Sequence, residues 1–257
     1  MSELHSAAER GFTRAVQAYQ RGRPEYPEQL QGWLRTAIGL HEGTTAVDLG
    51  ADTGKFTRVL RTSGADIIAV EPLCGMLSEL RSRMPEVLAL AATAQKVALK
   101  SGIADAVSCA QAFHWFANRA ALAEIHRILK PGGQLVLVWN ARDESVDWVA
   151  ALSEIMRPYE RGVPRFHSGE WRDAFRDAPF SLLQETRFAH THVGSPEAVI
   201  VDRVLSVSFI AALPDREREA VAVRLRTLIS AHPALAGCER VAFPYLLHAY
   251  HCTRAAP

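Results

Sequence analysis

Apolar and polar positions follow two alternating periods along the first 140 residues or so, and glycine or proline marks most changes between them. Glu28 to Gly39 sets Leu30, Trp33, Leu34, Ala37 and Ile38 on one face, which predicts a helix that packs on a sheet. The short apolar run ending at Leu49 reads as a strand. Phe56 to Thr62 reads as a helix stopping near Ser63-Gly64, and Asp66 to Val70 as a second strand. Leu73 to Met84 is predicted helical, with Pro85 ending it, followed by strands over Val87 to Ala92 and Ala104 to Gln111. Arg119 to Leu129 is an amphipathic helix that Lys130-Pro131-Gly132-Gly133 should stop, before a fifth strand over Gln134 to Trp139. Strands alternating with helices predict a parallel sheet with right-handed crossovers.

Both ends of the chain depart from that rhythm. Ala7 to Gln20 suits an amphipathic helix, and Pro24 and Pro27 prevent its continuation. After Val146 the pattern predicts helices over Val149 to Tyr159 and Glu170 to Arg176, then a strand over Phe180 to Val193. Two longer helices are expected at Pro196 to Leu213 and Asp215 to His232, and a last strand at Val241 to Arg254. The expected division is an N-terminal segment 1–40, a core 41–145 and a remainder 146–257, all within one domain.

The chain has 257 residues, 48% of them apolar and 22% charged, with a net charge of +1. That is ordinary for a globular protein and gives no electrostatic footprint for nucleic acid or an anionic membrane, so a small-molecule partner is expected. The charged N-terminus and the absence of any long apolar stretch predict a cytoplasmic protein. Cys74, Cys109, Cys238 and Cys252 lie far apart, which suggests neither zinc nor a disulfide framework. His190, His192, His248 and His251 have no carboxylate or thiol at ligand spacing, so no metal site is expected. The apolar stripes of the last helices suit either core or a homodimer face.

The chemistry concentrates at Asp48-Leu49-Gly50-Ala51-Asp52-Thr53-Gly54, where a strand turns into a helix. Glycines there allow close backbone approach, and the helix N-terminus favours a carboxylate or phosphate. The spacing is neither the dinucleotide fingerprint nor the P-loop, so Lys55 is not a phosphate-loop lysine, and a nicotinamide dehydrogenase lacks its third glycine. Glu71, about twenty residues on at the end of the next strand, is placed to accept ribose hydroxyls.

"VDLGADTGKFT", "AVEP" at Ala69 to Pro72 and "LKPGGQLVLVW" at Leu129 to Trp139, in that order, resemble the class I S-adenosylmethionine-dependent methyltransferases. The resemblance implies an α/β fold: a seven-stranded, mostly parallel Rossmann-like sheet with helices on both faces, an antiparallel last strand and a helical cap insertion. It implies S-adenosyl-L-methionine as cofactor, S-adenosyl-L-homocysteine as product and a small-molecule methyl acceptor. The cofactor would meet Asp48, Gly50, Ala51, Asp52, Thr53 and Gly54 at the turn, Glu71 and Pro72 at the ribose, and Met76, Thr93, Ala94 and Gln95 at the adenine. Gln111 follows the fourth strand. "YQRGRPEYP" resembles the N-terminal segment of a small-molecule subgroup, in which Tyr19, Arg23 and Tyr26 would close the pocket, Arg23 on the methionine carboxylate. His114 and Trp115 would lie nearest the reacting methyl, His114 as hydrogen-bonding group or general base, with Asn140 near the acceptor. Asp52 replaces a family glycine. A degenerate fold that binds a ligand or partner without catalysis is therefore the alternative expectation.

Overall fold

In the computed structural model residues 23–160 and 162–255 are described. Tyr19 and the helix expected over 7–20 lie outside them. Seven strands form one sheet in the order β3-β2-β1-β4-β5-β7-β6. They are β1 (Thr45–Leu49), β2 (Asp66–Val70), β3 (Leu88–Leu90), β4 (Ala104–Ala110), β5 (Leu129–Arg142), β6 (Gln184–Gly194) and β7 (Val241–Thr253). Strands β1 to β5 pair in parallel, and β7 runs antiparallel to both β5 and β6. The strand order reverses between β1 and β4, and in open α/β sheets ligands bind beyond the carboxyl ends at such a point.

Period-two alternation gives each central strand two buried faces. Ala46, Ala106, Val136 and Val138 pack on one side with Leu30, Trp33 and Leu34 of α1 (Gln29–Thr36) and Phe56 and Leu60 of α2 (Lys55–Arg61). Their neighbours Val47, Val107, Leu135 and Leu137 pack on the other side with Leu122, Ile125 and Ile128 of α4 (Arg119–Ile128). Between β2 and β3, α3 (Cys74–Arg83) sets Leu77 and Leu80 against Ala51, Ala69 and Ala89.

A second core lies above the carboxyl edge. Val149 and Leu152 of α5 (Asp147–Met156), Val199 and Val204, and Val221 and Leu225 of α6 (Asp215–Ala231) close on Phe243 and Tyr245 in the first half of β7. The segment between β6 and β7 thus forms a helical cap. Among the described residues no helix is long and apolar enough to cross a membrane.

Two sequence expectations need correction. The helix does end, at Ile128, one residue short of the expected Leu129, but Lys130-Pro131-Gly132-Gly133 is a bulge inside β5 rather than a turn ahead of it, with Leu129 paired to Ala104 and Gln134 to Ala106. Lys130 Nζ, 2.7 Å from Asp105 Oδ2, ties the bulge to β4, and Gly132 takes the left-handed backbone it needs. The helix expected over Pro196 to Leu213 is broken into a π turn, Glu197–Asp202, and short helices Arg203–Leu205 and Ser208–Ala211. Val199, Ile200, Val201 and Val204 are all buried, so no polar face fixes one helical phase.

Candidate active site

The turn after β1 is fastened to β2, because the N–H groups of Gly50 and Ala51 both donate to the Val70 carbonyl, at 2.8 and 3.1 Å. Gly50, Asp52 and Gly54 all have positive φ, 72°, 54° and 87°. Asp is among the residues that tolerate this conformation, so the turn forms with Asp52 in place. The missing Cβ atoms of the glycines face protein rather than ligand. A Cβ at Gly50 would come within 2.7 Å of Ala112 Cβ, and one at Gly54 within 2.1 Å of Met84 Cε. Gly54→Ala is therefore expected to destabilise the fold by about 1 to 2 kcal/mol, mainly from left-handed strain because the Met84 methyl can move aside, readable by urea unfolding.

Asp48 sits beneath this turn, fully buried, and accepts from Thr57 Oγ1 at 2.7 Å and Ser108 Oγ at 2.9 Å. It stitches β1 to α2 and β4, so the direct ligand contact expected of it is corrected to a positioning role. Burial pushes its carboxyl up to about 6. Glu71 is 5% exposed and accepts from Asp52 N at 3.0 Å and Leu73 N at 2.9 Å, one bond to each oxygen. Burial outweighs those two donors and pushes it up to about 7, with Asp52 and Asp48 adding repulsion. Asp52 Oδ1 accepts from its neighbour Thr53 N at 2.5 Å.

A small hollow opens on Gly50, Ala51, Asp52 and Thr53, with Arg23, Tyr26 and Phe56 around it. Tyr26 stands edge-on to Phe56 with ring centroids 5.1 Å apart, so it faces this hollow rather than the space expected for an acceptor. Lys55 Nζ donates to the Arg23 carbonyl and pairs with Glu25 at 3.4 Å, fastening the N-terminal segment across α2. Pro72 and Gln95 are half-buried and Met76 and Ala94 buried, while Thr93 accepts from Lys96 N at 3.1 Å in a tight turn. None of these five lines the hollow or the adjoining chamber.

That chamber, of about 590 Å³, lies beyond β4 and β5 and shares Arg23, Gln111, Asn140 and Arg203 with the hollow. His114 and Trp115 enter it from a 3₁₀ turn, Phe113–Trp115, and Trp139 from β5. Gln111 reaches it through a left-handed backbone, φ 57°, its N–H bonded to Val138 O at 2.7 Å. Asn140 Oδ1 accepts from His190 Nε2 at 2.8 Å. Trp139 Nε1 donates to His114 Nδ1 at 3.1 Å. An indole nitrogen only donates, so Nδ1 is the acceptor and the imidazole proton sits on Nε2. Burial, with Arg165, Arg23 and His167 nearby, presses His114 down to about 3. It is neutral near pH 7 and far too weakly basic for the general-base role; hydrogen-bond donation is what it offers.

Arg203 from the cap, Arg165 from a loop ahead of β6 and Arg142 from the end of β5 also line the chamber, a set that sequence reasoning did not bring together. One signal was present. Arg203 interrupts the apolar run "AVIVDRVLSVSFIAAL", four residues from Val199 and from Val207, and all three are buried.

Known proteins resemble this chain along most of its length. A family model described as a methyltransferase domain matches residues 47–137. An uncharacterized methyltransferase of Mycobacterium tuberculosis is 39% identical over 95% of this chain and 96% of its own. The chain belongs to the class I S-adenosylmethionine-dependent methyltransferases. A methyltransferase-like protein of Schizosaccharomyces pombe is 35% identical to this methyltransferase over 93% of each chain. Among solved structures, the Bacillus subtilis YcgJ protein superposes with a TM-score of 0.57 at 17% identity, over 90% of this chain and 100% of that one. The cyclase SpnF superposes with 0.56 at 15% identity, over 92% and 85%. A shared fold therefore fixes the architecture and not the reaction. In this methyltransferase the matched stretch 47–137 holds the turn, Glu71 and His114, whereas Arg142, Arg165 and Arg203 lie beyond it.

Proposed function

We propose that this methyltransferase uses S-adenosylmethionine in the hollow at the β1 turn and a small-molecule acceptor in the adjoining chamber. The observation that carries the reading is their junction: Arg23, Gln111, Asn140 and Arg203 border both spaces, so groups held in each would meet there. The chain's donor set fits the cofactor. Asp52 and Glu71 set two carboxyls at the turn, and burial pushes that of Glu71 upward, which favours a ligand bringing hydroxyl donors and positive charge.

In this reading Glu71, already oriented by Asp52 N and Leu73 N, keeps lone pairs for the ribose hydroxyls, and Arg23 takes the methionine carboxylate. Asp52 meets the ammonium group, which turns its charge from a liability into a contact. The bound cofactor supplies an electrophilic methyl on a sulfonium that leaves as a neutral thioether. The protein supplies orientation, exclusion of water by the cap, and an Nε2–H donor from His114. Calorimetric titration with S-adenosylhomocysteine tests the cofactor half of the reading, with a dissociation constant of about 1 to 100 μM expected, in the usual range for enzyme ligands. No heat at millimolar ligand would favour the non-catalytic alternative.

A further inference from the structure

Arg203 is 6% exposed and stands at the wall between hollow and chamber. Its Nε donates to Tyr245 Oη at 3.2 Å, whereas Nη1 is buried without a hydrogen-bond partner among the described residues. No carboxylate of the described residues lies within 4.0 Å of it. A buried guanidinium with neither counter-charge nor full hydrogen bonding is costly unless a ligand completes it.

The surroundings do not complete it. Arg165, 18% exposed, is 3.5 Å from Glu160 through one nitrogen and lies over the Phe209 ring at 4.6 Å. Arg142, 11% exposed, donates to Ser153 Oγ and is 3.9 Å from Glu144, which is itself half exposed. Arg23 is the fourth guanidinium; Arg157 at the rim is exposed and paired with Glu154. In the chamber Arg142 and Arg165 thus have Glu144 and Glu160 as their carboxylates, whereas Arg203 has none, and a ligand anion can span the three guanidiniums.

We propose that the acceptor is a small organic anion with at least two carboxylates, gripped by Arg203, Arg165 and Arg142. This rests on the chamber being the acceptor site, as argued above. Planar guanidinium forks match carboxylates in bidentate fashion. The missing base points the same way. A carboxylate oxygen arrives ionised: it forms the new bond to the methyl carbon while the carbon–sulfur pair stays on sulfur, giving a methyl ester and a thioether with no proton to remove. A phosphorylated alcohol would need its hydroxyl deprotonated, and neutral His114 is too weak a base for that.

Calorimetry on the full-length protein without cofactor tests this, using succinate, citrate, neutral succinamide and glycerol 3-phosphate. The carboxylates should bind, more weakly as salt rises, and succinamide at least about tenfold more weakly than succinate. Arg165→Gln should weaken carboxylate binding by about 10- to 100-fold, and Arg203→Lys, which keeps the charge without the fork, by about tenfold. With methyl donor present, a bound acid should gain one methyl that mild alkali removes. Equal binding of succinate and succinamide, binding of glycerol 3-phosphate alone, no carboxylate binding, or unchanged affinity in Arg165→Gln would each overturn the inference. If S-adenosylhomocysteine still binds when the acids do not, this inference fails alone. If S-adenosylhomocysteine does not bind the unaltered protein, the reading of the hollow fails instead.

Discussion

Glu71→Gln is expected to weaken S-adenosylhomocysteine binding about a hundredfold, since charge-assisted bonds to two hydroxyls together contribute roughly 3 kcal/mol beyond their neutral equivalents. The same change should alter how stability depends on pH. In the folded protein Glu71 titrates at about 7, against an ordinary value of 4.5. Between those values the folded state holds more protons than the unfolded one, so this group's contribution to stability falls as pH rises and levels off above about 7. The loss attributable to Glu71 is on the order of 3 kcal/mol across that window. Glutamine does not titrate, so the stability of the variant relative to its parent should climb by that amount from about pH 4.5 to about pH 7.

Comparison with the parent is essential because half-buried histidines act in the opposite sense. His114 at about 3 and His190 at about 4 lie below their ordinary value, so they add stability as pH rises towards 6.5. Their contribution cancels in the difference. Asp48, raised to about 6 and repelled by Asp52, reports the lower part of the window through Asp48→Asn. Urea unfolding at pH 5, 6, 7 and 8 reads both, in steps that belong to the coupled carboxyls together. A pH-independent difference between Glu71→Gln and its parent would contradict the burial argument. Retained cofactor affinity would remove Glu71 from the ribose.

Residues 45–128 were largely legible in sequence because local rules governed them. Ser63-Gly64 and Pro85 punctuate the helices, and β2 runs over Asp66 to Val70 as its apolar run predicts. Glu71 was legible too, since a carboxylate at a strand end beside a glycine turn depends on near neighbours. What escaped was set by distant contacts. The helix end at Ile128 was legible, but Lys130 to Gly133 is held in β5 by Asp105, some 25 residues earlier, so its breakers read alone hide where the strand begins. The side of Gly54 that lacks a Cβ is filled by Met84, which spacing around the turn does not reveal. The chamber arginines come from the end of β5, a loop and a broken helix, and only the fold brings Arg142, Arg165 and Arg203 together. His114 was placed correctly at a strand end, but its basicity depends on Arg165 and Arg23, which sequence does not put beside it.

Trp139 links packing to that imidazole, and two substitutions separate its jobs. Its ring is 1% exposed, stacked on Phe166 at 4.8 Å and tilted against Trp171 at 4.7 Å between centroids. Trp139→Ala should cost about 3 to 5 kcal/mol in urea unfolding, the usual loss for a large buried aromatic. Trp139→Phe keeps an aromatic ring beside Phe166 and Trp171 but removes the indole N–H together with part of the ring's volume. His114 Nδ1 then loses its donor, and either ring nitrogen can carry the proton. Nitrogen chemical shifts of His114 should show one tautomer in the parent and a mixture in Trp139→Phe. If the Nε2–H donor orients the acceptor, turnover should fall about tenfold while S-adenosylhomocysteine affinity stays within about twofold, because a lost or misdirected hydrogen bond is worth roughly 1.4 kcal/mol. A tautomer mixture with unchanged turnover would show that His114 does not touch the acceptor. Turnover lost without any change of tautomer would assign the effect to the packing of Phe166 and Trp171, since nothing else that Trp139→Phe removes reaches the chamber through His114.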